Sequence, residues 1–232
     1  MADRVAMISG ANRGIGAAIA MHLADLGWQL SLGMRQPDRL TAPPGGGATL
    51  TCRYEAEDTA SEAAWVETTA GRFGRIDAVI ANAGIMIPKT VIEADDQDLD
   101  KLFQVNVRSP LRLVRAAWPW LTQSGRGRVV TLVSLSGKRV KTARSGLYAA
   151  SKFAALAVTH AIRHAGWNLG VRATAICPGF VATDMSAGLT DRAPEDMTQP
   201  ADIARLVGMV LDLPNTASVA EIPINSTLEE MV

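Results

Sequence analysis

Three residues have side chains suited to moving a proton: Ser134, Tyr148 and Lys152, within the stretch VVTLVSLSGKRVKTARSGLYAASK from Val129 to Lys152. Tyr148 and Lys152 are four apart, so on a helix they share one face and their side chains can converge. An ammonium beside a phenol favours the phenolate, which lets the phenol trade protons nearer neutral pH. A hydroxyl aimed at the same spot can hold a carbonyl oxygen. The pattern Tyr-x-x-x-Lys by itself suits an ordinary surface helix equally well, so the elements around it decide.

Those elements are favourable. Val129 onward is a short apolar run rich in Val and Thr, which reads as a buried strand ending at Ser134. A basic loop follows, and a helix opens near Leu147 and runs to about Trp167. Ser134 therefore sits at the strand end, the edge where open α/β sheets bind ligands.

The N-terminal part supplies a nucleotide site. Val5 to Ser9 reads as a strand, followed by Gly10-Ala11-Asn12-Arg13-Gly14-Ile15-Gly16 and a helical pattern through Leu26. Strand, glycine turn and helix in that order make a phosphate-binding loop, with the helix N-terminus facing the phosphates. Gly10 suits the tight turn, Gly14 a close backbone approach to a pyrophosphate, and Gly16 close helix packing. Gln29 to Gly33 reads as the second strand, and Met34-Arg35 follows. An acid there would hold the ribose hydroxyl of NAD; a basic residue accommodates the extra phosphate of NADP. Arg35, with Arg13 in the glycine loop, points to NADP(H), with NAD(H) as the lesser option.

Further along, TAPPGGG at 41–47 cannot continue a helix and reads as a loop. Strands are expected over Thr49–Tyr54, Ile76–Ala81, Val171–Ile176 and Ala217–Ile224, and helices over Ser61–Arg72, Asp95–Asn106 and Ala201–Leu213. Glu55 and Asp58 follow the third strand, near where an adenine would lie. Trp65 reads as core. The turn Asn82-Ala83-Gly84 after the fourth strand lets backbone pass close to a cofactor. Asn106 interrupts an apolar face, and a buried Asn needs partners. The sixth strand runs into Pro178-Gly179 and then Val181 and Thr183, whose hydroxyl can meet a nicotinamide amide. Ser186 to Met197 is polar and contains glycine, as a lid would. Strands alternate with helices throughout, which predicts a Rossmann-type, doubly wound, mostly parallel α/β sheet, with residues 1–232 forming a single domain.

Composition narrows the function. The formal net charge is +0 and 20% of residues are charged, which gives no support to nucleic-acid or membrane-surface binding. Cys52 and Cys177 match no metal spacing, and His160 and His164 lack a third ligand, so no metal is expected. The N-terminus shows no apolar leader and no run long enough to cross a bilayer, so a reduced, cytoplasmic protein is expected.

Taken together, these residues resemble the short-chain dehydrogenase/reductase family, in its compact single-domain branch, over nearly the whole chain. Ser9 to Gly16 looks like the family's T-G-x-x-x-G-I-G loop with Ser for Thr, Asn82-Ala83-Gly84 like its N-A-G turn, and Tyr148/Lys152 like its Y-x-x-x-K. Asn106 matches its catalytic asparagine and Pro178-Gly179 its P-G turn. The family's serine lies three residues before a glycine, which selects Ser134 before Gly137, with Ser136 as the fallback. The gap from Ser134 to Tyr148 is one residue longer than usual. Glu55 stands where the family commonly has Asp, and the C-terminus lacks the common D-G-G. It looks more like the subgroup of short NADP-dependent reductases that includes 3-hydroxy-acid dehydrogenases.

The resemblance implies reversible hydride transfer between a nicotinamide and a small-molecule carbonyl or alcohol. Tyr148 would be the acid/base, Ser134 would hold the oxygen, Lys152 would lower the phenol pKa and bind the nicotinamide ribose, and Asn106 would hold a linking water. It implies a homodimer or homotetramer. Alternatives are a 3-oxoacyl-thioester reductase, a 3-hydroxy-acid dehydrogenase, or a non-enzymatic NAD(P)-binding regulator. The loop Lys138 to Arg144 is strongly basic and borders the pocket; a solvated loop and the steering of an anionic substrate both account for it.

Overall fold

The computed structural model describes residues 4–39 and 48–228, so the 41–47 loop expectation lies outside the described residues. Seven strands form one sheet: β1 (Val5–Ser9), β2 (Gln29–Met34), β3 (Thr49–Arg53), β4 (Ala78–Ala81), β5 (Arg128–Leu132), β6 (Arg172–Pro178) and β7 (Glu221–Ile224). Their order is β3-β2-β1-β4-β5-β6-β7, and all the named pairs are parallel. The chain winds outward from β1 through β3, returns, and winds the other way from β4. The strand order therefore reverses between β1 and β4, and a crevice opens at their carboxyl ends.

Six α-helices cover the sheet: α1 (Gly14–Asp25), α2 (Ser61–Phe73), α3 (Asp96–Phe103), α4 (Ser109–Gln123), α5 (Gly146–Gly166) and α6 (Pro200–Asp212). Strand residues alternate between two cores. Ala6 and Ile8 of β1 pack under α1 and α6. Met7 faces the other way, with Trp65 of α2 and Leu113 and Ala117 of α4. Central strands buried on both faces explain their continuous apolar runs. Trp65 is core, as expected: it is 1% exposed and its Nε1 donates to Ser31 Oγ at 2.8 Å. Gly33 makes room for it, since a Cβ there would lie 2.6 Å from the indole.

Two elements depart from expectation. The helix expected over Asp95–Asn106 does not stop; α3 passes through a π-helical turn, Gln104–Arg108, directly into α4. No helix is among the elements expected from the sequence at 109–123, which contains Pro110 and Pro119. Pro110 directly follows the π-helical turn at the start of α4, and Pro119 is carried inside the helix. The last strand is shorter than Ala217–Ile224. It is the edge strand, which tolerates Pro223.

Candidate active site

The glycine loop connects β1 to α1. Gly10 and Gly14 have φ of +66° and +55°, which L side chains rarely adopt. Gly16 is needed for closeness: a Cβ there would lie 2.2 Å from the Gly10 carbonyl oxygen. Ser9, standing in for the usual Thr, welds the loop to its neighbour. Its Oγ accepts from the backbone N–H groups of Asn82 and Ala83, both at 3.0 Å. Asn82 Nδ2 donates to the Ser9 and Gly10 carbonyls at 2.9 and 3.2 Å. The two glycine-containing turns thus form one unit at the reversal point of the sheet.

The catalytic candidates converge one strand further on. The chain leaves β5 at Leu132, and the Ser134 side chain is set toward the Tyr148 phenol, with Oγ donating to the Pro178 carbonyl at 3.4 Å. Ser136 also lines the cleft, and its backbone N–H donates to Ser134 Oγ at 3.0 Å. Gly137 explains the spacing to the serine. A Cβ there would lie 2.8 Å from the Lys152 carbonyl oxygen, so only glycine lets the Ser134 turn lie flat on α5. Tyr148 and Lys152 are both buried, and Lys152 Nζ donates to the Leu132 carbonyl at 2.8 Å. Asn106 lies in the π-helical turn, a distortion that recurs at functional sites. Its Oδ1 accepts from Ile85 N at 2.9 Å, and its Nδ2 donates to the Ile85 carbonyl and Ser151 Oγ at 3.0 Å each. A Cβ on Gly84 would lie 3.3 Å from Asn106 Oδ1 and 3.5 Å from Lys152 Nζ, so glycine keeps open the space between them.

The electrostatics differ from the expectation that Lys152 draws the phenol toward phenolate. Burial pushes Tyr148 up to about 12, with the nearby Ser134 hydroxyl working against it. Burial also pushes Lys152 down to about 8. Its Nζ is 5.7 Å from the Tyr148 ring centroid. Burial thus holds both groups toward their neutral forms.

A cleft of about 980 Å³ joins the glycine loop to this floor. Gly10, Asn12, Arg13, Gly14, Ile15, Arg35, Glu55, Asn82, Ala83, Gly84, Pro178, Gly179, Val181 and Thr183 all line it, with Ser134, Tyr148 and Lys152. Gly16 and Asn106 do not; they act from behind, by packing and by hydrogen bonds. Asp58 also stays out and accepts from Ala60 N at 3.1 Å. Met34 is buried against the cleft and Arg35 is exposed at its rim. Arg13 is turned toward Asp184, with Nη1 to Oδ2 at 2.6 Å, in a pair that is 65% and 75% exposed. Such a pair is weak and open to exchange. Sequence reasoning missed Asp184 and Tyr54 in the lining, and no pattern marks either one. The expected lid, Ser186–Met197, is an irregular segment whose base is tied by a Val181–Thr198 bridge. Among the described residues no group of three His, Cys, Asp or Glu side chains is placed to hold a metal. No helix among them is long and apolar enough to cross a membrane.

A family profile described as short chain dehydrogenase matches residues 4–194. The chain belongs to the short-chain dehydrogenase family. It is 41% identical over 218 residues to an agropine synthesis reductase of Rhizobium rhizogenes, covering 93% of this chain and 50% of that one. The chain thus spans about half the length of that relative. An uncharacterised oxidoreductase of Staphylococcus saprophyticus is 31% identical, with 96% and 97% of the two chains covered. Among solved structures, an alcohol dehydrogenase from Thermococcus sibiricus complexed with 5-hydroxy-NADP superposes with a TM-score of 0.87 at 29% identity, covering 98% of each chain. A short chain dehydrogenase from Burkholderia cenocepacia in complex with NADP gives 0.86 at 27%, covering 97% of each. The family and the Rossmann-like fold anticipated from the motifs are both borne out.

The residues present fit a dinucleotide. Gly10 and Gly14 line the cleft at the α1 N-terminus, where backbone N–H groups suit a pyrophosphate. Arg13 and Arg35 flank the cleft where a ribose phosphate would lie.

Proposed function

We propose that this protein is an NADP(H)-dependent oxidoreductase that interconverts a carbonyl and a secondary alcohol. The observation that carries the reading is the junction of Ser134, Tyr148 and Lys152 on the floor of a cleft that begins at a glycine loop. The nicotinamide supplies or accepts the hydride; the protein positions the partners and handles the proton. Ser134 holds the carbonyl oxygen through its hydroxyl. Tyr148, protonated at neutral pH, gives its proton to the oxygen as negative charge develops there. The Lys152 ammonium stabilises the phenolate left behind, and its bond to the Leu132 carbonyl fixes where it stands. Asn106 shapes the space behind Lys152 through which the proton is replaced. Several structural relatives carry NADP or an NADP derivative, and Arg13, Met34 and Arg35 support the same preference here.

The test is NADPH oxidation with a panel of small ketones and oxo acids, run on the wild type and on Tyr148→Phe. The variant keeps the ring and loses the proton. Its kcat should fall at least ~100-fold, the low end for losing acid–base catalysis, with NADPH binding retained. Near-normal turnover in that variant would remove Tyr148 from the role.

A further inference from the structure

The charges lining the cleft are sorted. Its carboxylates, among the described lining residues, are Glu55 and Glu57 just beyond β3, and Asp184, which is paired with Arg13. Around Ser134 and Tyr148 the lining instead carries Arg139, Lys141 and Arg144 from one loop, and Arg192 from the segment on the other side of the cleft. The whole chain has a formal charge of +0, so composition does not impose this sorting. Lys138 is committed to Glu221 at 2.5 Å, and Glu221 also meets His160 Nε2 at 2.8 Å. Arg144 is aimed by a bond from Nε to the Pro88 carbonyl at 3.1 Å; Glu93 feels its charge but lies outside the lining. Arg192 stands over the Phe180 ring at 5.9 Å, with Nη1 3.5 Å from Ser226 Oγ.

We infer that the substrate is an oxo acid, whose carboxylate is received between Arg192 and the Arg139–Arg144 loop while its carbonyl meets Ser134 and Tyr148. This rests on the carbonyl-reductase reading of the same floor. A neutral ketone gains nothing from cations on both walls of a partly enclosed cleft. A carboxylate gains both capture and orientation, because the planar guanidinium fork binds it through paired hydrogen bonds. One end of the substrate is then anchored, and the carbonyl is held at a set distance from the proton donor.

The experiment compares kcat/KM for matched pairs, pyruvate with methyl pyruvate and acetoacetate with methyl acetoacetate, using NADPH across a salt series. The acids should be preferred at least tenfold at low salt, and the preference should shrink as salt rises. Arg192→Gln should lower the acid-to-ester ratio at least tenfold, mainly through KM, as expected for a lost charge-assisted hydrogen bond. Arg192→Lys, which keeps the charge, should retain most of the ratio. Esters reduced as well as acids, with the same salt dependence, overturn the inference and leave the reductase reading standing. A loss in Arg192→Gln confined to NADPH affinity, measured by nicotinamide fluorescence, also overturns it by assigning the cation to the cofactor. A wild type that binds NADPH and reduces neither class overturns both.

Discussion

Lys152 carries the ionisation that matters most near neutrality. With burial holding its amine at about 8 and the Tyr148 phenol at about 12, the ammonium is present below about pH 8 and lost above it, while the phenol stays protonated throughout. Reduction needs the phenol as donor and the ammonium to receive the phenolate. The value of kcat/KM for NADPH, measured with the carbonyl substrate saturating, reports groups of the free protein. It should be level below about pH 8 and fall up to tenfold per unit above it. A profile level through pH 10 would show that the Lys152 charge is not required. The Tyr-x-x-x-Lys spacing revealed the pairing of these side chains, but not their environment. Spacing along a helix says which groups meet. Desolvation depends on what the rest of the fold packs around them, and it reverses the direction expected for the phenol.

At the scale of elements, the site is held by contacts of backbone on backbone. The turn after β5 reaches α5 only because Gly137 has no Cβ. In Gly137→Ala the added methyl group would meet the Lys152 carbonyl oxygen at 2.8 Å and Val133 Cγ1 at 2.7 Å, so the Ser134 turn must lift away. Overpacking of this kind costs about 1–3 kcal/mol. The displaced Ser134 also moves away from Tyr148, so kcat should drop at least ~10-fold, since misplacement by about 1 Å is expensive. The glycine loop is remote from the change, and NADPH binding measured by fluorescence should persist. Unchanged kcat would mean the serine turn needs no seat on α5. Glycines at such contacts were legible as motif letters because their spacing is local. The helix over Ser109–Gln123 was not. Its two prolines carry a breaking signal, and the packing of Leu113, Ala117 and Leu121 into the core outweighs it.

On the scale of the molecule, the alternation of strands and helices and the order of the motifs made the winding of the sheet legible. Contacts between distant segments were not: the Arg13–Asp184 pair joins residues 171 positions apart, and nothing local to either residue marks it. The cleft joins the two windings of the sheet. Gly10, Gly14 and Arg35 come from the first, and Gly84, Tyr148 and Thr183 from the second. A cofactor bound there touches both halves and is bound only when both are folded, so it should stabilise the whole fold by mass action. At a concentration of 100 times Kd the gain is about 2.7 kcal/mol. For a domain of this size each kcal/mol raises Tm by about 2–4 °C, so NADPH should raise Tm by roughly 5–11 °C. On the proposed NADP(H) preference, Arg35 would contribute charged hydrogen bonds to the ribose phosphate worth about 1.5–3 kcal/mol, or about ten- to a hundredfold in affinity. NADH at the same concentration has no such phosphate; with a Kd about ten- to a hundredfold higher its gain is about 0.4–1.4 kcal/mol, so its shift should be smaller by roughly 3–9 °C. In Arg35→Ala the NADPH shift should shrink toward that for NADH, while the NADH shift stays near its wild-type value. Thermal unfolding of both proteins with each cofactor measures all four shifts, and equal shifts for NADPH and NADH in the wild type would rule out the proposed preference.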